Sequence, residues 1–402
     1  MKDSETLLVW GETDVGWDAN TPINETLDEN GNVPDAKRGF GIADPRAPKA
    51  RVYDDPSVEE LREKLRDHNG YHELDICDPD ELERAATIFW RDGFVVVRDL
   101  LDEENLAKFR EGSSRVLREI LRPDGDDGRK YITESNRLPH RYSYGTTSSS
   151  RQLLHDDAWA SMVDLDTTTP LLTKLFGGPD YVVVGAGGDL CLPGAVEYQH
   201  LHSDVYERFN LPESRITQAE ALGIKIRRDD ETGEIEDRTK RLICDRTPAI
   251  ITINFVMSDL TWENGPIRQI PGTHMAARHP PPPTEEPEWM RMCTLVGAKA
   301  GAGVFRDNRA WHGATPNLSR EIRSLPNVEY GAPWIAGPHH GKTMPYKVWE
   351  TLSDHGKHIC RFVHEKPGVW PAGAGLNHSL GHVRKEAKQS LTTPPEHYRH
   401  LV

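Results

Sequence analysis

A readable apolar period begins at Asp80. Leu82, Ala85, Ala86 and Phe89 recur three or four apart, which predicts a helix closed by Gly93. Phe94-Val95-Val96-Val97 follows as an unbroken apolar run and reads as a buried strand. Asp102 is placed to cap a second helix, whose Leu106, Phe109, Val116, Leu117 and Ile120 form one stripe. A shorter helix, from about Pro170 to Phe176, closes at Gly177-Gly178. Beyond it the pattern changes to short apolar runs between Gly/Pro turns: Tyr181 to Gly188, Ala249 to Ser258, Ile267 to Ile270, Gly303 to Phe305 and Trp311 to Gly313. Helices first and short strands afterwards predict a mainly β fold, a sandwich or barrel with helices packed outside it.

The flanks carry less pattern. Residues 1 to about 55 are rich in Asp, Asn, Gly and Pro, and an extended arm or loosely packed extension is expected there. Val58, Leu61 and Leu65 among many charges suggest a short, exposed helix from Pro56 to Asn69. Arg122 to Ser150 is polar and irregular; Arg141, Tyr142 and Tyr144 lie within reach of a substrate or are plain loop residues. Glu213 to Pro248 is a charged insertion whose Ile224–Arg227 and Glu234–Glu236 alternate around Asp229–Gly233, an exposed hairpin that serves as a lid or as surface ornament. From Pro333 onward Gly, Pro and His abound, anchored by Trp334, Tyr346, Trp349 and Trp370, and a wrapping tail is expected. The chain thus divides into an N-terminal extension (1–79), a β domain (80–335) that includes the insertion (213–248), and a C-terminal tail (336–402).

Composition narrows the partners. A net charge of -15 over 402 residues disfavours a nucleic-acid backbone or an anionic membrane. Five scattered cysteines without a CxxC pair argue against a disulfide framework and fit a reducing compartment. Met1-Lys2-Asp3-Ser4-Glu5 is polar and no run approaches a membrane span, so a cytoplasmic location is expected. Oligomeric state is left open.

The candidate chemistry lies in Gln199-His200-Leu201-His202-Ser203-Asp204. In an extended segment, residues two apart share a face, so His202 and Asp204 can aim an imidazole nitrogen and a carboxylate oxygen at one point. His312 would add a second imidazole. Two histidines and one carboxylate with open positions suit non-haem Fe(II) that activates oxygen. Arg323, eleven residues after His312 across the Gly313–Asn317 turn, offers a permanently charged fork for a carboxylate. Arg320 is its rival. A lone His-x-Asp is common by chance, and it is the joint pattern that carries weight.

Several motifs are weaker. Val182–Val184 followed by Gly185-Ala186-Gly187-Gly188 misses the dinucleotide-loop spacing and lacks the helix that should follow, so a glycine-kinked strand is the better account. Asp124–Gly128 lacks the spacing of a calcium loop. His200 is a substrate contact, a fourth ligand or, more simply, a hydrogen-bonding neighbour of the ligands. Tyr198, Trp159 and Trp311 line a pocket or merely pack. Asn317 is the residue expected to set the turn.

Taken together, FWRDGFVVVRDLL (Phe89 to Leu101), His202-Ser203-Asp204, ENGPIRQIPGTH (Glu263 to His274) and WHGATPNLSREIR (Trp311 to Arg323) resemble the phytanoyl-CoA dioxygenase family of Fe(II)/2-oxoglutarate-dependent oxygenases. The resemblance covers about residues 80–335. It implies a double-stranded β-helix, or cupin-like jelly roll, in which His202, Asp204 and His312 hold iron and Arg323 binds the distal carboxylate of 2-oxoglutarate. It also implies oxidation, chiefly hydroxylation, of an unactivated carbon in a small molecule, with O2 consumed and succinate and carbon dioxide released. Halogenating members replace the metal carboxylate, so Asp204 points to oxygenation or a related desaturation or ring closure. Two alternatives stand beside this: a cupin-type metal isomerase, which would not need Arg323, and a catalytically silent binding protein, which would usually have lost a ligand. Pro326 departs from the family and requires a bulge or an edge placement. Arg141, Arg227, Arg228 and Arg268 are available to an anionic substrate, whose identity the sequence does not select.

Overall fold

The computed structural model describes residues 8–13, 15–17, 52–67, 74–121, 140–145, 152–207, 211–244, 248–276, 278–282, 298–337, 340–375 and 393–402. Nine strands occur among them: β1 (Ile76–Cys77), β2 (Phe94–Val97), β3 (Arg141–Tyr144), β4 (Val182–Cys191), β5 (Ile250–Phe255), β6 (Ile267–Gln269), β7 (Gly303–Asp307), β8 (His312–Ala314) and β9 (Arg323–Gly331). The helices that matter here are α1 (Pro56–Asp67), α2 (Leu82–Asp92), α3 (Glu103–Leu121), α4 (Asp157–Ala160), α5 (Thr169–Phe176), α6 (Glu213–Ala221) and α7 (Asp237–Cys244). The expected helices and strands of residues 80–191 are all present. Gly93 ends α2 in the left-handed conformation (φ 82°), and the Asp102 carboxylate accepts from the Asn105 amide at 2.8 Å.

Seven strands form one sheet in the order β1-β2-β7-β5-β9-β4-β3, antiparallel except for β1 beside β2, and β6 pairs with β8 in a second, small sheet. Residues 195–202 run along this small sheet through isolated bridges, Ala195 to Asn317 and His202 to His312. The two layers make the double-stranded β-helix.

Register determines what each face of the large sheet does. Ile251, Ile253, Phe255, Phe305, Val328 and Tyr330 share one face with Val95 and Val97, and there α2, α3, α4 and α5 complete the main core. Phe109 is fully buried between Trp159 and Phe255, with ring centroids 5.2 and 5.4 Å away; its truncation to alanine should cost about 3–5 kcal/mol. The alternate positions face the small sheet. They include Arg141, Ser143, Asp189, Cys191, Arg323, Asn327, Glu329, Thr252, Asn254 and Arg306, with an apolar floor of Phe94, Val96, Val304 and Leu325. One face is a hydrophobic core and the other is a polar chamber.

Several expectations need revision. Tyr142 and Tyr144 are not loop residues; they lie in β3 on the core face, each 1% exposed, while Arg141 before them and Ser143 between them turn inward. α1 is not simply exposed, because Val58 and Leu65 pack with Trp17, Val196 and Leu318, and Arg62 donates to the Leu318 carbonyl. Pro326 sits without a bulge opposite Gly188, and the ladder between β5 and β9 ends one residue away at Asn254–Asn327. The Ser324 carbonyl accepts from Met257 on the β5 side, so the nitrogen of Pro326, two residues on, faces that side just where the ladder has stopped. β9 is central elsewhere and locally an edge there, as a proline requires. The insertion holds the expected hairpin (an Arg228–Ile235 bridge) between α6 and α7. The glycine-kinked strand is β4, with its irregularity between Val183 and Gly185. Asp124–Gly128 lies outside the described residues.

Candidate metal centre

The two sheets bring together residues far apart in the chain. His202 and His312 face each other as a backbone pair, each amide donating to the other's carbonyl at 3.0 Å, and the Asp204 amide donates to the Asn308 carbonyl at 2.9 Å. One ligating atom each from His202, Asp204 and His312 falls within 4.8 Å of the others.

Orientation at this cluster is set by the backbone. Nδ1 of His202 lies 3.1 Å from the His200 carbonyl, and Nδ1 of His312 lies 3.0 Å from the Ala310 carbonyl. A carbonyl only accepts, so each Nδ1 carries the proton and each Nε2 presents a lone pair. Those Nε2 atoms turn to the Asp204 carboxylate, His202 at 3.6 Å from Oδ1 and His312 at 3.5 Å from Oδ2. Gly313 permits this layout, since a Cβ there would stand 2.7 Å from the Gln199 carbonyl oxygen and 3.0 Å from that of His200.

Electrostatics agree. Burial, then the charge of Arg306 and the neighbouring His202, holds the His312 pKa well below its usual range, so this imidazole is neutral. Burial alone would raise the Asp204 carboxyl, but the neighbouring His312, Arg306 and His202 outweigh it and hold the pKa well below the usual carboxylate range. With His312 neutral, Arg306 is the cation that keeps Asp204 ionised. Two imidazoles whose Nδ1 atoms are held by carbonyls, together with one ionised carboxylate, are the donor set that Fe(II) takes, so the residues fit the metal.

Arg306 in β7 was missed by the sequence reading. Its Nη1 donates to Asp204 Oδ2 at 2.8 Å and lies 2.9 and 3.0 Å from Nε2 and Nδ1 of His312. No local pattern in Gly303 to Asp307 marks it; only the pairing of β7 with β5 shows that Arg306 shares the inward side with Val304.

Arg323 heads β9 on the chamber face, 3% exposed, with Nε donating to the Gly265 carbonyl at 2.9 Å. Its two Nη groups have no hydrogen-bonding partner among the described residues. Arg320 instead lies over the Tyr53 ring, 4.4 Å from its centroid, outside the chamber. Arg141 is buried near Arg323 and donates to Cys191 Sγ and to the carbonyls of Glu197 and Thr315, tying the His-x-Asp loop to the sheet. Asn317 fixes the turn before Arg323, donating to the carbonyls of Cys191 and Glu321 and accepting from Ser319.

The other expected residues stand further off. The His200 ring is 5.8 Å from that of His202 and not part of the ligand cluster. Tyr198 packs beside Trp17 and Leu318, with Arg268 5.7 Å away. Trp311 packs with Leu201 and Ile270. Trp159 is in the main core and donates to the Gly187 carbonyl. Arg227 and Arg228 are exposed on the hairpin, while Arg268 is fully buried and donates to the Gln199 carbonyl.

A small β sheet closing over the polar face of a larger one, with two imidazoles and a carboxylate at the seam, is the architecture of a jelly-roll metalloenzyme. The family model of phytanoyl-CoA dioxygenase (PhyH) matches residues 89–325, more than half of the chain, and the chain belongs to that family. It is therefore an Fe(II)/2-oxoglutarate-dependent enzyme that uses O2 and acts on small molecules. Among solved structures it is similar to AviO1 from Streptomyces viridochromogenes Tue57, at 19% identity over 63% of this chain and 96% of that one, with a TM-score of 0.39. It is also similar to HygX from Streptomyces hygroscopicus, solved with nickel, 2-oxoglutarate and hygromycin B, at 16% identity over 62% and 86% and a TM-score of 0.40. A third is the carbocyclase SnoK from nogalamycin biosynthesis, at 16% identity over 62% and 83% and a TM-score of 0.38. No curated protein matches the chain. No described helix is long and apolar enough to cross a membrane.

Proposed function

We propose that the enzyme hydroxylates an unactivated carbon of a small-molecule metabolite, with His202, Asp204 and His312 holding iron and Arg323 binding the distal carboxylate of 2-oxoglutarate. The observation that carries this is the convergence of two Nε2 atoms on one carboxylate, with both Nδ1 atoms pinned to backbone carbonyls. When bound, iron and 2-oxoglutarate supply the oxidising chemistry, with O2 consumed and succinate and carbon dioxide released.

The protein's part is positioning. The backbone pair of His202 and His312 sets the spacing of the ligands, and the Nη groups of Arg323 offer a bidentate grip at the far end of the chamber. His200, Tyr198 and Trp311 are the candidate substrate contacts. The catalytic domain is residues 80–335. The insertion 213–248 is tied at both helices, because Arg215 pairs with Glu207 and donates to the Ile243 carbonyl, so any lid movement belongs to the hairpin between α6 and α7. The four cysteines among the described residues are free and buried, which suits a reducing cytoplasm.

Anaerobic addition of Fe(II) and 2-oxoglutarate tests this reading. A weak charge-transfer band in the green, seen only with both present and lost in His202→Ala and Arg323→Ala, is expected. A folded, metal-loaded protein that shows no band would remove the co-substrate from the account. Succinate release then serves to screen substrates.

A further inference from the structure

Arg306 puts a full positive charge beside a metal site that has a single carboxylate. The residue is 5% exposed, and β7 delivers it to the chamber opposite Thr252, with Glu329 beyond in the same row. Its Nη1 is nearly equidistant from the two nitrogens of His312, 2.9 and 3.0 Å. The guanidinium therefore lies over the ring, and the Nε2 lone pair in the ring plane stays open. On Asp204 it takes Oδ2 at 2.8 Å, leaving Oδ1, the oxygen that faces His202. Arg306 can thus remain where it is when a metal arrives.

Its charge then has a consequence. Asp204 and Arg306 sum to zero, and a histidine that ligates a metal does so as an uncharged imidazole. A divalent ion entering this set meets no net attraction from it, and leaves it with two positive charges. 2-Oxoglutarate, a dianion, cancels them. Without Arg306 the same set would attract the metal by itself and would carry surplus negative charge once the dianion joined.

We propose that Arg306 is a positioning residue whose charge couples metal binding to the co-substrate: it weakens binding of the bare divalent ion and strengthens binding of the ion together with 2-oxoglutarate. This rests on the reading of His202, Asp204 and His312 as the ligands. By linkage, the factor by which 2-oxoglutarate tightens the metal equals the factor by which the metal tightens 2-oxoglutarate.

The test is Co(II) binding under anaerobic conditions, followed by visible absorption with and without saturating 2-oxoglutarate, in wild type, Arg306→Gln and Arg306→Lys. Wild type should bind Co(II) at least about tenfold more tightly with 2-oxoglutarate present, the scale on which groups surrounding metal ligands act. Arg306→Gln keeps a donor for Asp204 but no charge. It should bind Co(II) alone more tightly than wild type and lose most of the coupling. Arg306→Lys keeps the charge and should keep most of the coupling. A residue that merely orients Asp204 would give weaker Co(II) binding in Arg306→Gln with an unchanged coupling factor, and that result overturns the proposal. Should Arg306→Gln fail to fold, loss of coupling in a folded Arg306→Lys overturns it equally. Wild-type protein that binds Co(II) without any coupling refutes the role of Arg306 and leaves the ligand assignment standing. Wild type that binds no Co(II) refutes both.

Discussion

His202 and His312 exchange both of their backbone hydrogen bonds, each 3.0 Å, and their rings sit 4.2 Å apart between centroids. The distance between the two imidazoles is therefore held by strand pairing and not by side-chain packing alone. Whatever disturbs that pairing should reach the metal before it reaches the fold.

Gly313→Ala makes the disturbance specific. The new methyl would meet the carbonyl oxygens of Gln199 and His200 at 2.7 and 3.0 Å, so the loop leading to His202 must move. Metal affinity is expected to fall about ten- to a hundred-fold, with a smaller loss of thermal stability. Parallel metal titration and melting measurements separate the two.

Arg323→Lys should raise the KM for 2-oxoglutarate about ten- to a hundred-fold and leave the Kd for metal unchanged. A lysine offers the charge but not the planar fork, and a charge-assisted bidentate contact is worth roughly 2–3 kcal/mol. Substrate-independent succinate formation gives the KM. An equal rise in the metal Kd would place Arg323 in the ligand scaffold instead.

The legibility of the site followed from how local each signal was. His202 and Asp204 are two apart and share a face by strand geometry, whereas joining them to His312 and Arg323 rested on the joint pattern of motifs and the family resemblance. Arg306 needed the register of β7 against β5, which Thr252 reveals only once the strands are paired. α1 misled because three apolar residues among charges look exposed, whereas burial of Val58 and Arg62 depends on Leu318, far along the chain. Pro326 was correctly read as incompatible with a fully paired strand, but where β5 stops is a tertiary fact. Tyr142 and Tyr144 lay in a polar stretch with no period, and their burial came from pairing with β4.

A buried ionic chain links the insertion to the ligand strands. Arg309 pairs with Asp307 at 2.6 Å, approaches Glu207 at 3.6 Å and donates to the Cys244 carbonyl; Glu207 pairs with Arg215 of α6 at 3.0 Å. Arg309→Met removes the guanidinium that pairs with buried Asp307 and one of the two that face Glu207, and should cost about 3–5 kcal/mol. The urea midpoint would fall without a change in slope.

Acid sensitivity has an identifiable source in His140, which is 2% exposed and whose Nδ1 has no hydrogen-bond partner among the described residues. Burial, reinforced by Arg141, pushes its pKa down to about 4 from 6.5. Below 6.5 the unfolded chain takes up a proton that the folded chain refuses. The stability present at neutral pH is therefore lost as pH falls from 6.5 towards 4, by about 3 kcal/mol. Asn tolerates the positive φ of 63° at this position. His140→Asn should lose less stability than wild type between pH 7 and 4.5 in urea melts, with part of the slope remaining because His312 shifts in the same direction.

The short arm ahead of α1 has a practical meaning for anyone who would shorten the protein. Trp17 donates to the Ser319 carbonyl at 2.8 Å, Thr13 to that of Arg320 at 2.7 Å, and Glu12 bridges Glu321, all within the turn that leads into Arg323. A fragment starting at residue 80 would retain every candidate ligand, yet it would uncover Leu318 and Val196 and release that turn. Such a truncation would look catalytically complete on paper while its grip on the co-substrate had been loosened from outside.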